Sequence, residues 1–236
     1  QQSAAEPETT DLAEAAPSSA ALMPSSMPPE PKRTGRPGVS RNHKMQADSP
    51  YPKNPQNAIA DALRNALQRP RAAYLAHPVP SVAERRADLQ QLARFVQDNR
   101  QAILAAISAD FGHRSTHETL MLEFTPFLAG IRQCLQHVKR WMRPQRRHIE
   151  RLTYGLARNE VIPQPLGVVG VIVPWNFPLL LSMVPLSNIF AAGNRAIVKM
   201  SENSRHLAAL LIEQVPKYFP PEKLQFFDET GGVGLE

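Results

Sequence analysis

The chain has 236 residues, of which 42% are hydrophobic, with a net charge of +6 and a pI near 9.8. That length is enough for one or two domains with a sizeable core. No run approaches the roughly eighteen apolar residues of a membrane span, so no transmembrane helix is expected. No charged start followed by an apolar stretch and a small-residue cleavage site supports a secretory signal, and the single cysteine, Cys134, excludes an internal disulfide, so a reducing, cytoplasmic setting is the expectation.

Residues 1–55 read as a disordered Pro/Ser/Ala-rich tail. They hold ten of the 23 prolines and one aromatic, Tyr51, too little apolar surface to offset the entropy of ordering them. The chain begins with Gln1, which suggests a processed product, a fragment, or a frame extended upstream of a start such as Met45. Charge is uneven here. Residues 1–30 carry five acids and no Lys or Arg, whereas Lys32, Arg33, Arg36, Arg41, Lys44 and Lys53 follow. The high pI invites a nucleic-acid reading. A second basic run, Lys139, Arg140, Arg143, Arg146, Arg147 and Arg151, has little aromatic interleaving, with Trp141 at an expected core position. A solvated face or subunit contact explains it better than nucleic acid.

From residue 56 the pattern becomes helical. Ala58, Ile59, Ala62, Leu63, Ala66 and Leu67 recur at three- and four-residue steps, and Pro70 is expected to end or kink the helix. Ser81 with Glu84 forms a capping box. It opens a helix with Leu89, Leu92, Val96, Ile103 and Ile107 on one face and a break near Asp98–Asn99. Asp110–His113 reads as a stop. A third helix places Leu120, Phe124, Phe127, Ile131, Leu135 and Val138 together, with a kink at Pro126 and an end at Trp141–Pro144. Residues 56–157 thus form a helical region, and the proline-bearing stretch 158–166 suits an edge strand. Next come a core strand at 168–173, an apolar helix at 179–191 capped by Gly193–Asn194, a strand at 195–200, a helix at 201–215 with a Ser/Asn start, and a strand at 223–229. This is a parallel βαβαβ layout. It makes the fold class α/β, with residues 167–236 as the first half of a doubly wound sheet, and the unpaired edges of such a half suggest an incomplete domain.

In a parallel sheet, ligands bind beyond the carboxyl ends of the strands. The first core strand ends in Pro174-Trp175-Asn176, and the second in Lys199-Met200-Ser201-Glu202. The Asn176 amide donates two hydrogen bonds without charge. Held between Pro174 and Pro178, it suits a developing oxyanion. Lys199 and Glu202 are a cation and a carboxylate suited to ribose hydroxyls. From spacing alone the alternative is that Asn176 caps a turn and that Lys199 and Glu202 are a solvated strand end.

The run "GVVGVIVPWNFPLLL", followed 23 residues after its asparagine by "KMSE", resembles the aldehyde dehydrogenase superfamily. The likeness is to its class-3-like branch with the coniferyl aldehyde dehydrogenases, and "AISADFGHRSTHETL", "KRWMRP" and "VIPQPLGVVG" resemble that branch too. The resemblance covers residues 56–236. It implies a Rossmann-like cofactor domain, here its first half, and an oligomerisation strand over 158–166. It also implies that Asn176 stabilises a thiohemiacetal oxyanion, that Ile172, Val173, Pro174 and Trp175 line the nicotinamide-ribose side, and that Lys199 and Glu202, with Ser201 between them, hold the adenosine ribose. The cofactor implied is NAD, with NADP tolerated, the substrate an aromatic or long-chain aldehyde, and the full-length assembly a homodimer.

The family's cysteine nucleophile and glutamate base lie downstream of this half, so the 236 residues are expected to be inactive alone. Cys134 sits at helical spacing between Ile131 and Val138 and reads as a buried core thiol. His113 and His117 are four apart, but they straddle a glycine loop and lack a third ligand, so no metal is expected. "GGVG" at 231–234 reads as a family loop near the adenine. The competing reading is a non-catalytic interaction or nucleic-acid-binding protein with a degenerate dinucleotide fold.

Overall fold

A computed structural model of the chain describes residues 55–228. The expected tail, the basic residues 32–53 and the "GGVG" run lie outside the described residues. Helix α1 (Pro55–Ala76) is followed by α2 (Val82–Asp98) and α3 (Arg100–Asp110). Pro70 neither ends α1 nor stops it short of Ala76. Ser81 opens α2 with the expected capping box: its hydroxyl accepts from Glu84 N–H at 3.3 Å, and Glu84 accepts from Ser81 N–H at 2.7 Å. The break falls at Asn99, whose side-chain amide donates to the Phe95 carbonyl. Leu89, Leu92, Val96, Ile103 and Ile107 are all fully buried.

The third helical stretch is not one kinked helix. It is a short α4 (Thr116–Thr119), a π-helical turn over Leu120–Phe124, and α5 (Thr125–Trp141). Pro126 sits at the start of α5, where its missing N–H is harmless. The Thr125 hydroxyl and N–H both reach back to the Leu120 carbonyl across the widened turn. Phe124, Phe127, Ile131, Cys134 and Val138 enter the core, while Leu120 and Leu135 pack at its margin. Trp141, expected in the core, is 41% exposed. It stands on the last turn of α5 and packs against His137 instead.

The expected strand at 158–166 contracts to β2 (Asn159–Val161). It pairs antiparallel with β1 (Gln145–Arg147), which lies unforeseen inside the second basic run, and a short α6 (Arg151–Tyr154) connects them. Three strands then form a parallel sheet in the order β3 (Val168–Ile172), β4 (Arg195–Lys199), β5 (Leu224–Phe227), with α7 (Pro178–Ala191) and α8 (Arg205–Gln214) as the crossovers. In β4, Ala196 and Val198 face the core, and α1 lies against β3 and β4. Arg195 ties α1 to the strand starts by donating to the Ala73 and Glu222 carbonyls.

α7 ends in the Schellman pattern the sequence suggests. Gly193 N–H reaches the Phe190 carbonyl, Asn194 N–H reaches that of Ile189, and Gly193 adopts φ +85°. The Asn194 side chain accepts from Leu166 and Gly167 N–H and so fixes the entry to β3. A Cβ on Gly193 would lie 2.7 Å from Cζ of Arg85. That guanidinium is buried and already held by the Pro80 and Ala191 carbonyls. Gly193→Ala is therefore expected to cost about 2 kcal/mol or more, combining backbone strain with the displaced arginine, as read from urea or thermal unfolding. A Gly130→Ala control, with open space around its Cβ, should not lose stability.

Candidate active site

Strands β3 and β4 are in register, with Ile172 opposite Lys199. Their carboxyl ends therefore open side by side, and the residues that follow each strand line one edge of the sheet. After β3 the chain emerges as Pro174-Trp175-Asn176, all exposed. Ile172 and Trp175 are 56% and 59% exposed, so the expected core strand turns an apolar face outward at its end. Val173 points the other way, into the core, and its N–H donates to the Lys199 carbonyl at 2.9 Å. Of the residues read as cofactor-lining, Val173 can contribute only backbone.

Asn176 lies in a pocket of about 440 Å³ with Trp175, Phe177, Phe111, His113, Arg114 and Glu118. Among the described residues, no hydrogen bond engages its side-chain amide, which leaves both N–H groups for a ligand oxygen. The turn that carries it is held from below. α7 begins at Pro178, which has no N–H, and the preceding Phe177 offers no side-chain acceptor. The N–H groups of Leu179 and Leu180 are instead taken by Glu123 Oε2 at 2.8 and 3.1 Å. Glu123 is fully buried, and its other oxygen pairs with Arg114 Nη1 at 3.0 Å. The Arg114 guanidinium, only 6% exposed, packs between the Phe111 and Phe177 rings, with centroids 4.9 and 5.1 Å from Cζ. Burial pushes the Glu123 carboxyl up, against the downward pull of the two backbone donors and Arg114. Its contacts are nevertheless those of an ionised acceptor.

Arg114 comes from the turn after α3, where Gly112 and the non-glycine His113 both take positive φ, at 62° and 78°. The stop at Asp110–His113 is legible in the sequence, but the roles of Arg114 and Glu123 are not. The available signals were a helix starting Phe-Pro with no Ser, Thr, Asp or Asn to cap it, and a carboxylate set on an apolar helix face.

After β4, Lys199 is half-buried and Ser201 and Glu202 stand at the start of the loop to α8. Ser201, Glu202, Arg205, Ala208, Ile212 and Asp228 line a pocket of about 390 Å³. The Ser/Asn start expected for α8 does not cap it. Ser204 is buried with no hydrogen-bond partner for its hydroxyl among the described residues. The cap is Asp110, from the end of α3, which accepts from His206 and Leu207 N–H at 2.8 and 3.0 Å and from the His206 ring. With α7 resting on Glu123 and α8 on Asp110, the Leu179, Leu180, His206 and Leu207 amides are committed to carboxylates. Those four amides are not available to an anion at this edge.

Cys134 is buried, 3.8 Å from the Asn188 side-chain oxygen, and burial raises its thiol pKa. His113 and His117 join no group of three metal-ligating side chains among the described residues.

The aldehyde dehydrogenase family model matches residues 46–233, and the chain belongs to that family. It is 43% identical over 180 residues to a probable coniferyl aldehyde dehydrogenase of Pseudomonas aeruginosa, covering 76% of this chain and 37% of that protein. Against the coniferyl aldehyde dehydrogenase of a Pseudomonas species it is 41% identical, covering 70% and 34%. The chain thus spans just over a third of the length of these relatives. Among solved structures, a Staphylococcus aureus AldH in a substrate-bound state aligns with a TM-score of 0.67 at 21% identity, over 71% of this chain and 36% of that one. The fold is therefore part of the aldehyde dehydrogenase fold.

Two outcomes test this geometry. Glu123→Ala should cost about 3–5 kcal/mol, because it strands Arg114 and two helix amides, and Glu123→Gln should fall between it and the parent in a thermal melt. The native thiol should be inert to a disulfide exchange reagent near neutral pH and titrate fully only in denaturant, since a buried thiol with a raised pKa offers little thiolate. Rapid labelling of the folded chain would place Cys134 in an open site instead.

Proposed function

We propose that these residues supply the oxyanion donor and the adenosine end of the cofactor site of an NAD-dependent aldehyde dehydrogenase. The whole protein would oxidise an aldehyde to its carboxylic acid. The observation that carries the reading is the alignment of two polar strand ends, Asn176 after β3 and Ser201–Glu202 after β4, on one edge of a parallel sheet. In this reading a cysteine thiolate adds to the aldehyde carbonyl, and the electron pair moves onto oxygen. The Asn176 amide meets that oxyanion, while Arg114 and Glu123 keep the turn from yielding. When bound, NAD accepts the hydride. Glu202 and Lys199 would hold the adenosine ribose, with Ser201 beside them, and Ile172, Pro174, Trp175 and the Val173 backbone would flank the nicotinamide-ribose half. Glu202 favours a ribose with a free 2′-hydroxyl.

The names of the relatives support an aromatic, coniferyl-aldehyde-like substrate, with a long-chain aldehyde as the alternative. No described helix is long and apolar enough to cross a membrane; a cytoplasmic setting belongs to the proposal. So does a homodimer, which is favoured by the exposed Leu152, Leu156, Ile162 and Leu166 on and after the β1–β2 excursion.

The sole thiol of the chain is buried, so the 236 residues on their own are proposed not to turn over aldehyde. Calorimetric titration with NAD+ is expected to show binding that Lys199→Ala weakens by roughly tenfold, the loss of one charge-assisted contact. Addition of coniferyl aldehyde is expected to give no absorbance from NADH. Failure to bind NAD+ at millimolar concentration would remove the cofactor half of the proposal, and NADH formation would remove the claim of inactivity.

A further inference from the structure

Arg205 is the first residue of α8 and lies exposed on the wall of the pocket it shares with Ser201, Glu202, Ala208, Ile212 and Asp228. Its Nε donates to the Glu202 carbonyl at 3.3 Å. That contact folds the guanidinium back over the β4–α8 loop, beside the position read above as the ribose site. The charges around this pocket are mixed. Glu202 and Asp228 are two carboxylates, which accept hydrogen bonds from ribose hydroxyls and repel a phosphate. Among the described residues lining the pocket, Arg205 is the one cation.

Two of the amides at the helix start, those of His206 and Leu207, are bound to Asp110 and do not offset those carboxylates. Ser201 adds a second donor on the same loop. Its hydroxyl oxygen accepts from Asn203 N–H at 3.3 Å, which leaves its own proton to point elsewhere. Among the described side chains lining this pocket, the Arg205 fork and the Ser201 hydroxyl are therefore the hydrogen-bond donors an anion would meet, beside Lys199 at the end of β4.

We propose that Arg205 reads the 2′ position of the adenosine ribose: its guanidinium offsets Glu202 and Asp228 and lets the pocket take a 2′-phosphorylated adenosine as well as one with a free 2′-hydroxyl. The inference rests on the adenosine reading of this pocket. A guanidinium presents parallel N–H groups that match two phosphate oxygens, and at an exposed site such a contact is sensitive to salt.

The test is calorimetric titration of the purified chain with 5′-AMP and with adenosine 2′,5′-bisphosphate at low and moderate ionic strength. The parent chain is expected to bind both. Arg205→Ala should lower the ratio of bisphosphate to AMP affinity about tenfold, as one charge-assisted pair is lost, and Arg205→Lys should recover part of it. Glu202→Gln should move the ratio the other way. Because Arg205 is exposed, these variants are expected to melt with the parent, and circular dichroism checks that. An unchanged ratio in Arg205→Ala, or a parent chain that binds 5′-AMP but not the bisphosphate, overturns the role of Arg205 and leaves the adenosine site standing. A parent chain that binds neither nucleotide overturns the adenosine reading, and this inference with it.

Discussion

A fully buried carboxylate under the first turn of α7 holds this structure together at the place that matters for chemistry. Glu123 has left water entirely, which costs several kcal/mol unless its oxygens are engaged. They are engaged, by two helix amides and by Arg114. Each partner depends on something else. The amides are available because Phe-Pro opens α7 without a local acceptor. Arg114 arrives because Gly112 and His113 reverse the chain after α3. Glu123 is delivered by the π turn, one extra residue in the helical spacing between α4 and α5. The turn bearing Asn176 is the strip of chain between this anchor and β3, so its stiffness follows from a charge network some fifty residues earlier in sequence.

The same device recurs one strand further on. Asp110 closes α3 and caps α8, as Glu123 within the π turn caps α7. Both crossover helices of the parallel sheet thus begin on carboxylates from the helical region, and that region serves as more than a cover for one face of the sheet. It satisfies the orphan amides that a local cap would otherwise serve and ties the helical layer to the loops at the carboxyl ends of β3 and β4. A consequence for binding follows. In many doubly wound folds the helix start after the first strand receives a phosphate; here that position already holds a negative charge. In the proposed reading, ligand selectivity at this edge rests on the side chains of Asn176, Lys199, Ser201, Glu202 and Arg205 and on the apolar surface of Ile172 and Trp175.

Below the site the structure is conventional in its physics. Apolar stripes on α2 and α5 meet α7, which packs on β3 and β4, the stripe of α3 meets α8, and the Schellman turn at Gly193 lets Asn194 pin the entry to β3. Arg85, buried against that turn, joins the start of α2 to the end of α7. The Gly193–Asn194 turn and Arg85 thus brace the entry to β3, at the opposite end of the strand from Asn176.

The sequence by itself determined the elements whose causes are local. The capping box at Ser81 and Glu84, the stripe from Leu89 to Ile107, the strands and helices from Val168 onward, and the placement of Asn176, Ser201 and Glu202 at strand ends all follow from period, caps and turn residues within a few positions. Family membership was legible for the same reason, since Pro-Trp-Asn-Phe-Pro and Lys-Met-Ser-Glu are contiguous words. What only the tertiary structure decided are relations across long separations: Glu123 under Leu179 and Leu180, Asp110 under His206 and Leu207, and Arg114 between Phe111 and Phe177. Trp141 was misplaced because helical spacing says which residues share a face and not where the neighbouring layer ends. The pairing of β1 with β2 is not legible in the sequence because exposed three-residue strands rich in charge carry no periodicity. A buried charge is satisfied by whatever the fold brings to it, and its partners are set by the meeting of helices rather than by the order of residues.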